Sequence, residues 1–255
     1  YNGYSWDGER FVYNPFSVLN FLEEGRFKPY WMATGSPEFI VEYAKGVQLD
    51  ISAFEGMKVY DSFMEKKDID AATPESFLMQ AGYLTIKGYS DNKYTLGFPN
   101  QEVRRTFSDL LITGQYDVKD SDILSVAENL TKALGEGDTE EIVNQFKVIF
   151  SSIPYMYFDS NKSEHFYSAV LLMYLQAAGF DADPERIGNK GRLDLSIKFE
   201  NHVYIFELKT DKPSVAIQQI REKNYGGKYA NYEVINIGLK IDFVQRNIVD
   251  WKVEV

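Results

Sequence analysis

Three charged residues in the last third of the chain have the types and spacing that metal-dependent phosphate chemistry needs. Asp194 is followed 13 residues later by Glu207, which opens the tripeptide Glu207-Leu208-Lys209. Successive side chains of a β-strand point to opposite faces, so Glu207 and Lys209 share one face while Leu208 points into the packing. With Asp194 on a neighbouring strand, two carboxylates and an ammonium group converge. Such a group can bind a divalent cation and cleave a phosphodiester bond.

The segments around these residues predict the elements that bring them together. Glu164 lies in the first turn of a predicted amphipathic helix. Glu200-Asn201 forms a tight turn between two apolar runs, which predicts a pair of adjacent strands. The predicted elements are a helix at 163–178, strands at 192–199 and 202–208, a helix at 215–229 and a strand at 233–239. This order indicates an α/β domain, with the charged residues near the end of its second strand.

Two further segments precede this domain. Residues 1–70 contain short helices interrupted by turn residues, and residues 71–158 begin with a helix, a hairpin and a second helix. That order is typical of a winged-helix unit. Two more helices follow at 120–134 and 138–150, separated by Gly135-Glu136-Gly137, and an antiparallel pair of this kind connects or braces domains. The sequence therefore predicts an α/β (α+β overall) chain divided at 1–70, 71–158 and 159–255.

Composition excludes several other classes of site. The chain has no cysteine, which rules out disulfides, thiolate zinc sites and cysteine nucleophiles, and its two histidines do not suffice for a polyhistidine centre. No Gly-x-x-x-x-Gly-Lys-Ser/Thr motif occurs, so we expect no ATP site. No apolar run reaches 18 residues and no secretion signal is present, so we expect no membrane association and a cytoplasmic location.

Net charge is the main objection to a nucleic-acid substrate, because phosphate binding depends on clustered Lys and Arg. The chain carries a formal net charge of −11. Residues 160–255, however, contain 13 basic and 13 acidic side chains, whereas residues 1–159 contain 14 basic and 25 acidic ones. The excess negative charge therefore lies outside the region of the candidate site.

The C-terminal residues resemble the PD-(D/E)xK nuclease superfamily. The residues that carry this resemblance are Glu164, Asp194, Glu207-Leu208-Lys209, Gln218 and Tyr225. Within the superfamily, the chain is similar to a bacterial group in which an AAA-ATPase-like domain precedes the nuclease domain. Residues 13–17 and 34–37 resemble the tail of that ATPase-like domain, and residues 82–86 and 94–100 resemble the segment between the domains. The resemblance implies a restriction-endonuclease-like domain with a mixed central sheet at 159–255.

The resemblance also implies an activity, which is Mg²⁺- or Mn²⁺-dependent hydrolysis of nucleic acid, with DNA favoured. Asp194, Glu207 and the backbone carbonyl of Leu208 would hold the metal, since Mg²⁺ prefers oxygen ligands. Lys209 would orient the attacking water or stabilise the phosphate, with Glu164 as an additional acid. The residues expected to order the site or the substrate are Gln218 and Tyr225, seven apart on one predicted helical face, and Arg192.

Each assignment has an alternative. Glu207 and Lys209 form an exposed ion pair in the simplest structural interpretation, and Arg192 belongs to a solvated loop. The domain as a whole could keep the nuclease fold as an inactive binding or regulatory module, which suits the net charge. A third alternative places a partner contact on the N-terminal half and requires Arg104 and Arg105 to be exposed together. Acidic residues nearby favour a protein partner there over DNA.

Overall fold

The computed structural model describes residues 1–31, 40–42, 44, 51–60, 63, 73–159, 163–184, 186–187, 191–192 and 194–255. Residues 34–37, which resemble the ATPase-like tail, lie outside the described residues. The chain forms two compact units, Tyr1–Leu111 and Ile112–Val255.

The N-terminal unit combines short helices with a small antiparallel sheet. Its elements are α1 (Pro15–Glu24), α2 (Ile51–Phe54), β1 (Met57–Tyr60), α3 (Pro74–Gln80), β2 (Thr85–Ser90), β3 (Lys93–Gly97) and α4 (Gln101–Leu110). The strand order is β1-β3-β2. Asp91 and Asn92 join β2 to β3 with φ of 52° and 58°, the left-handed backbone that a two-residue hairpin turn requires. The predicted hairpin is confirmed, and the winged-helix interpretation stays a prediction.

Arg104 is not exposed, although the alternative of a partner contact on the N-terminal half requires it to be. It lies on the inner face of α4 with 8% of its surface exposed, and its Nε donates to the Gln101 Oε1 at 3.0 Å. Arg105, one residue on, is exposed. One residue rotates about 100° around a helix, so these adjacent arginines cannot face the same side. The condition that the third alternative places on these two arginines is therefore not met.

The C-terminal unit is built around a five-stranded mixed sheet. A π-helical turn (Leu111–Gln115) leads into its helices α5 (Asp120–Glu136), α6 (Thr139–Ser152), α7 (Tyr155–Asp159), α8 (Glu164–Ala177) and α9 (Pro213–Lys223). Its strands are β4 (Asp181–Asp183), β5 (Arg186–Ile187), β6 (Gly191–Arg192), β7 (Leu195–Phe199), β8 (His202–Lys209), β9 (Glu233–Asp242) and β10 (Asn247–Glu254). The sheet order is β10-β9-β8-β7-β4, and only β8 and β9 run parallel. The predicted restriction-endonuclease-like α/β fold with a mixed central sheet is confirmed.

Helices cover both faces of the central strand β8. On one face, Val203 and Ile205 join a buried cluster with Ile217 and Ile220 of α9. On the other face, the Phe206 ring lies 4.8 Å from the Phe146 ring of α6. An apolar strand buried on both sides reads as a continuous hydrophobic run, as β8 does. The alternation also assigns Glu207 and Lys209, which have the parity of Val203 and Ile205, to the face that α9 covers.

Gly238 lets α9 approach the sheet beside the charged residues. It is the register partner of Glu207 across the parallel pair β8–β9. A Cβ atom at Gly238 would lie 2.4 Å from the Pro213 carbonyl oxygen and 3.0 Å from the Ala216 Cβ. Any larger residue would therefore push the first turn of α9 away from the sheet, and with it the side chains that α9 directs toward Glu207.

The helical pair α5–α6 belongs to the C-terminal unit. The Tyr204 hydroxyl on β8 donates to the Leu134 carbonyl oxygen of α5 at 2.6 Å, and α6 packs on β8 and β10. The division at residues 70 and 158 stays a prediction, although this pair braces the sheet directly. None of the described helices is both long and apolar enough to cross a membrane.

Candidate active site

Asp194 and Glu207 meet at one end of the β7–β8 hairpin. Leu195 pairs with Phe206, which places Asp194, the residue before β7, beside the last residues of β8. Its Oδ2 accepts a hydrogen bond from the Leu208 backbone N–H at 2.7 Å. A tight turn fixes this register, because Glu200 takes a left-handed φ of 51° between the strands. The structure therefore brings together the acid and the Glu-x-Lys segment that the sequence places 13 residues apart.

Glu207 is a charged residue in an apolar setting. Its side chain is 1% exposed, and its Oε1 lies 3.0 Å from the Lys209 Nζ. The Gln219 side-chain amide of α9 donates to the same oxygen. The second oxygen, Oε2, is buried and has no hydrogen-bond partner among the described residues. A buried carboxylate oxygen without a partner is costly, and a bound cation or water would satisfy it.

Lys209 links Glu207 to a third carboxylate. Its Nζ lies 3.5 Å from the Glu164 Oε2. The other oxygen of Glu164 accepts hydrogen bonds from the Thr210 backbone N–H at 2.6 Å and the Thr210 hydroxyl at 3.2 Å. Ser163 caps α8 by accepting a bond from the Phe166 N–H, which fixes the helix start that carries Glu164. Glu164 therefore holds both Lys209 and the backbone that follows it.

Burial, together with neighbouring charge, shifts the protonation of this cluster. Burial, with the nearby Asp194 carboxylate, raises the pKa of Glu207 to about 8, against the opposing effect of Lys209. Burial also raises the pKa of Asp194, although the Leu208 N–H and the Ser168 hydroxyl oppose the rise. Burial alone would lower the pKa of Lys209, yet the surrounding carboxylates raise it. A buried and a half-buried carboxylate side by side with one ammonium group favour an additional cation.

The oxygen donors of the site fit a hard divalent cation that keeps most of its water. Among the described residues, no three His, Cys, Asp or Glu side chains form a group that could hold a metal ion. Mg²⁺, however, commonly uses one or two protein carboxylates and several waters. The unpartnered Glu207 Oε2 and the adjacent Asp194 supply such a pair. The N–H and C=O of one strand residue point to the same side, so the Leu208 carbonyl faces the side of Asp194 as its N–H does.

The structure places Gln219, and not Gln218, at the cluster. Gln218 is exposed and donates to the Glu222 Oε1 at 2.7 Å, whereas Gln219 bonds to Glu207. Gln218 and Tyr225 do not share a face of one helix, although their spacing of seven predicts that they do, because α9 ends at Lys223. Asn224, between that helix and Tyr225, takes a left-handed φ of 52°. The adjacent glutamines were visible in the sequence, but only the packing of α9 decides which one faces the sheet.

Tyr225 lies within the core beneath the site. It is fully buried in the cluster formed with Val203 and Ile205. Burial raises the pKa of its hydroxyl, and a hydrogen-bonding interaction with Gln219 opposes that rise. Gln219 thus lies between Tyr225 and Glu207. The tyrosine reaches the carboxylates through the glutamine, which is a link that sequence spacing did not predict.

Arg192 lies on the short ribbon that precedes Asp194. Its backbone pairs with Arg186 in the two-stranded sheet of β5 and β6. Its side chain is outside the part of the chain that the structure describes. The predicted contact of Arg192 with substrate therefore stays a prediction.

Comparisons with known proteins identify the domain that carries these residues. Residues 162–251 match the family model of the PD-(D/E)XK nuclease superfamily. The whole chain is similar to a protein of Azotobacter chroococcum mcd 1 described as an uncharacterized protein in the vnfD 5′ region, with 31% identity over 266 aligned residues. The alignment covers 100% of this chain and 51% of that protein, so the chain spans about half the length of its relative. No solved structure matches the chain. Residues 162–251, which contain the whole charged cluster, therefore form a domain of the PD-(D/E)XK nuclease superfamily.

Proposed function

We propose that this chain is a divalent-metal-dependent nuclease that hydrolyses phosphodiester bonds of nucleic acid, with DNA as the favoured substrate. The observation that carries the proposal is the convergence of Asp194 and Lys209 on the buried Glu207 carboxylate. Lys209 is 3.0 Å from its Oε1, and its Oε2 has no partner within the described part of the chain. A merely structural ion pair between Glu207 and Lys209 would not need a second acid beside it. The match of residues 162–251 to a nuclease superfamily supports the same conclusion.

Asp194, Glu207 and the Leu208 carbonyl are the proposed ligands of Mg²⁺ or Mn²⁺. When bound, the ion lowers the pKa of a coordinated water and neutralises negative charge that develops on the phosphate. Asp194 is held for this role by the Leu208 N–H, and Glu207 is held by Gln219. These hydrogen bonds fix the orientation of both carboxylates before substrate arrives, which reduces the reorganisation needed during the reaction.

Lys209 is the proposed contact to the reacting phosphate. Its ammonium group stays protonated because the neighbouring carboxylates raise its pKa, so it can donate to a phosphate oxygen or hold the attacking water. Glu164 fixes the position of that ammonium group at 3.5 Å and anchors the Thr210 backbone at 2.6 Å. We assign Glu164 a positioning role in the reaction, and we retain Tyr225 and Arg192 as proposed site-ordering and substrate-contact residues.

The charge distribution suits a nucleic acid at residues 160–255 better than at residues 1–159. The balance of 13 basic and 13 acidic residues in 160–255 leaves the site region without the acidic excess of the preceding residues. A partner of the N-terminal half would accordingly be a protein. We propose this partner class from charge alone.

Substitution of the two carboxylates tests the activity. We expect the wild-type chain to cleave labelled DNA with Mg²⁺ or Mn²⁺ and to lose cleavage in Asp194→Ala and in Glu207→Ala, since each variant removes a metal ligand. Glu233→Ala is the matched control, because Glu233 is an exposed acid at the opposite end of the same sheet. Near-UV circular dichroism checks that the variants are folded. Unchanged cleavage in both site variants, or no cleavage of DNA or RNA by the wild type, contradicts the proposal.

An inactive module is the competing function, favoured by the net charge of −11. Calorimetric titration with Mn²⁺ separates the two. A nuclease site takes up the ion in the wild type and loses that binding in Glu207→Ala. A module that keeps the fold without the chemistry gives the same weak titration for both proteins.

A further inference from the structure

Lys240 lies immediately beside the reactive lysine of the site. In the parallel pair β8–β9, Lys240 is the register partner of Lys209. Register partners on adjacent strands point to the same face, and their backbones lie about 5 Å apart. Both ammonium groups therefore project from the same end and the same face of the sheet, one on each of its two parallel strands.

The two lysines differ in how their charges are compensated. Lys209 lies between Glu207 at 3.0 Å and Glu164 at 3.5 Å. No hydrogen bond, ion pair or ring contact of the Lys240 side chain occurs with any described residue. Like charges at directly opposed sheet positions destabilise a pair of strands unless an anion compensates them. The second lysine thus adds positive charge that the protein itself leaves unpaired.

Asp250 is the acid nearest to Lys240 in the sheet register. It is the antiparallel partner of Lys240 on β10, where a bulge interrupts the pairing between Ile248 and Asp250. The two side chains do not form an ion pair, and the Asp250 Oδ1 instead accepts the Trp251 N–H at 2.9 Å. The first turn of α9, which lies over the same face, contains no acidic residue. The Lys240 side chain is therefore half-buried. Its neighbouring acid in the sheet register is Asp250, and it has no direct partner among the described residues.

We infer that Lys240 is a substrate-binding residue that contacts a phosphate of the nucleic-acid backbone next to the scissile one. This inference rests on the proposed nuclease function. A nucleic-acid strand whose scissile phosphate lies at Lys209 on β8 presents an adjacent phosphate to Lys240 on β9. The flexible side chain of lysine lets the ammonium group reach that phosphate. Such a contact positions the substrate without reading its bases. Lys240 contributes to binding, whereas Lys209 contributes to the chemical step.

Salt-dependent binding measures this contact directly. The probes are one labelled DNA duplex and the corresponding single strand, titrated with protein in a chelator so that no cleavage occurs, at about 50 to 200 mM salt. The variants are Lys240→Gln, which removes the charge and keeps the stem, and Lys240→Arg, which keeps the charge. Lys198→Gln is the matched control, because Lys198 pairs with Val203 at the end of the β7–β8 hairpin that lies away from Lys209.

We expect Lys240→Gln to bind about tenfold more weakly, the effect of one charge-assisted hydrogen bond. Its slope of log affinity against log salt should be smaller by about 0.9 on the duplex or about 0.7 on the single strand. Lys240→Arg and Lys198→Gln should remain within about twofold of wild type, and with Mg²⁺ the Gln variant should raise KM while leaving kcat nearly unchanged.

The outcomes separate this inference from the proposed function. If the wild type binds and cleaves nucleic acid while Lys240→Gln matches Lys198→Gln in affinity and salt slope, the inference about Lys240 is wrong and the nuclease function stands. A loss of kcat without a change in affinity also overturns it, since that pattern indicates a role in chemistry or folding. A wild-type chain that binds neither probe overturns both.

Discussion

Two glutamates with raised pKa values, the buried Glu207 and the half-buried Glu102, lie one in each unit and show what distinguishes a site from an isolated perturbed carboxylate. Burial raises the pKa of Glu207 to about 8 and that of Glu102 to about 7. In each carboxylate one oxygen has no hydrogen-bond partner among the residues that the structure describes. Glu102 lies in the first turn of α4, and its ion-pair partner is the Tyr1 amino group at 3.9 Å. A raised pKa and an unpartnered oxygen thus occur in both units.

Convergence is what separates the two. Glu207 has a second acid beside it, a lysine at 3.0 Å and a glutamine amide. These groups come from the residue before β7, from the end of β8 and from the helix α9. Glu102 has no such set among the described residues of its unit. Perturbed protonation is common to functional and structural carboxylates. The difference teaches that a reactive site needs acids, a lysine and an amide that meet at one point. Burial accompanies such a site but does not by itself identify one.

Removing Lys209 should have the largest effect, because it makes the Glu207 cluster resemble the isolated Glu102. We expect Lys209→Met to lower the cleavage rate at saturating Mg²⁺ by about 10²- to 10³-fold, the usual effect of deleting one preorganised group that stabilises transition-state charge. The variant should still fold, since a carboxylate without its lysine can become protonated and neutral. Single-turnover cleavage measures the rate. Lys198→Met controls for loss of a lysine elsewhere on the sheet, and a rate equal to wild type in Lys209→Met would exclude the proposed role.

Substitution of the adjacent glutamines of α9 tests whether a hydrogen bond from this helix orients the Glu207 carboxylate. Gln219→Ala removes the amide that holds the carboxylate, and we expect activity or metal affinity to fall by about 10- to 100-fold, as for other groups that orient metal ligands. Gln218→Ala removes only an exposed bond to Glu222 and should stay within about twofold. Mn²⁺ titration and cleavage assays on both variants provide the measurement. Equal effects of the two substitutions would show that orientation of Glu207 does not depend on α9.

The sequence predicts the parts of the site that depend on local periodicity. Alternation along β8 assigns Glu207 and Lys209 to one face, and the polar turn at Glu200-Asn201 predicts the hairpin that brings Asp194 alongside. Ser163 and Glu164 mark the start of α8 in the same way. These signals are local because strand parity and helix caps are set by neighbouring residues. The α/β order of elements follows from them, whereas the superfamily and its mixed central sheet are what the resemblance implies and what the family match supports.

Other parts of the site depend on tertiary packing, which no local pattern contains. The choice between Gln218 and Gln219 amounts to a rotation of about 100° of α9, which is set by its close approach to Gly238. The Thr210 N–H that binds Glu164 is a backbone group and has no sequence signature. Lys240 joins the site only through the β8–β9 register, 31 residues from Lys209 along the chain. Long-range pairing therefore decides what the sequence pattern leaves open.

Glu102 itself gives the smallest predicted effect and tests the other side of the comparison. Burial raises its pKa from the ordinary 4.5 to about 7, so the unfolded chain ionises at lower pH than the folded one. The stability that this group contributes is fully present below about pH 4.5 and is lost as the pH rises through about 7.

In Glu102→Gln the loss should disappear, and the free energy of unfolding at pH 8 should rise by about 1 kcal/mol or less, since partial solvent exposure and the lost interaction with the helix dipole both reduce the gain. Urea unfolding at pH 5 and 8 measures it, with Glu75→Gln in the first turn of α3 as the matched control. Cleavage should remain unchanged, because Glu102 lacks the second acid and the lysine that accompany Glu207; a loss of cleavage in this variant would remove convergence as the criterion for the site.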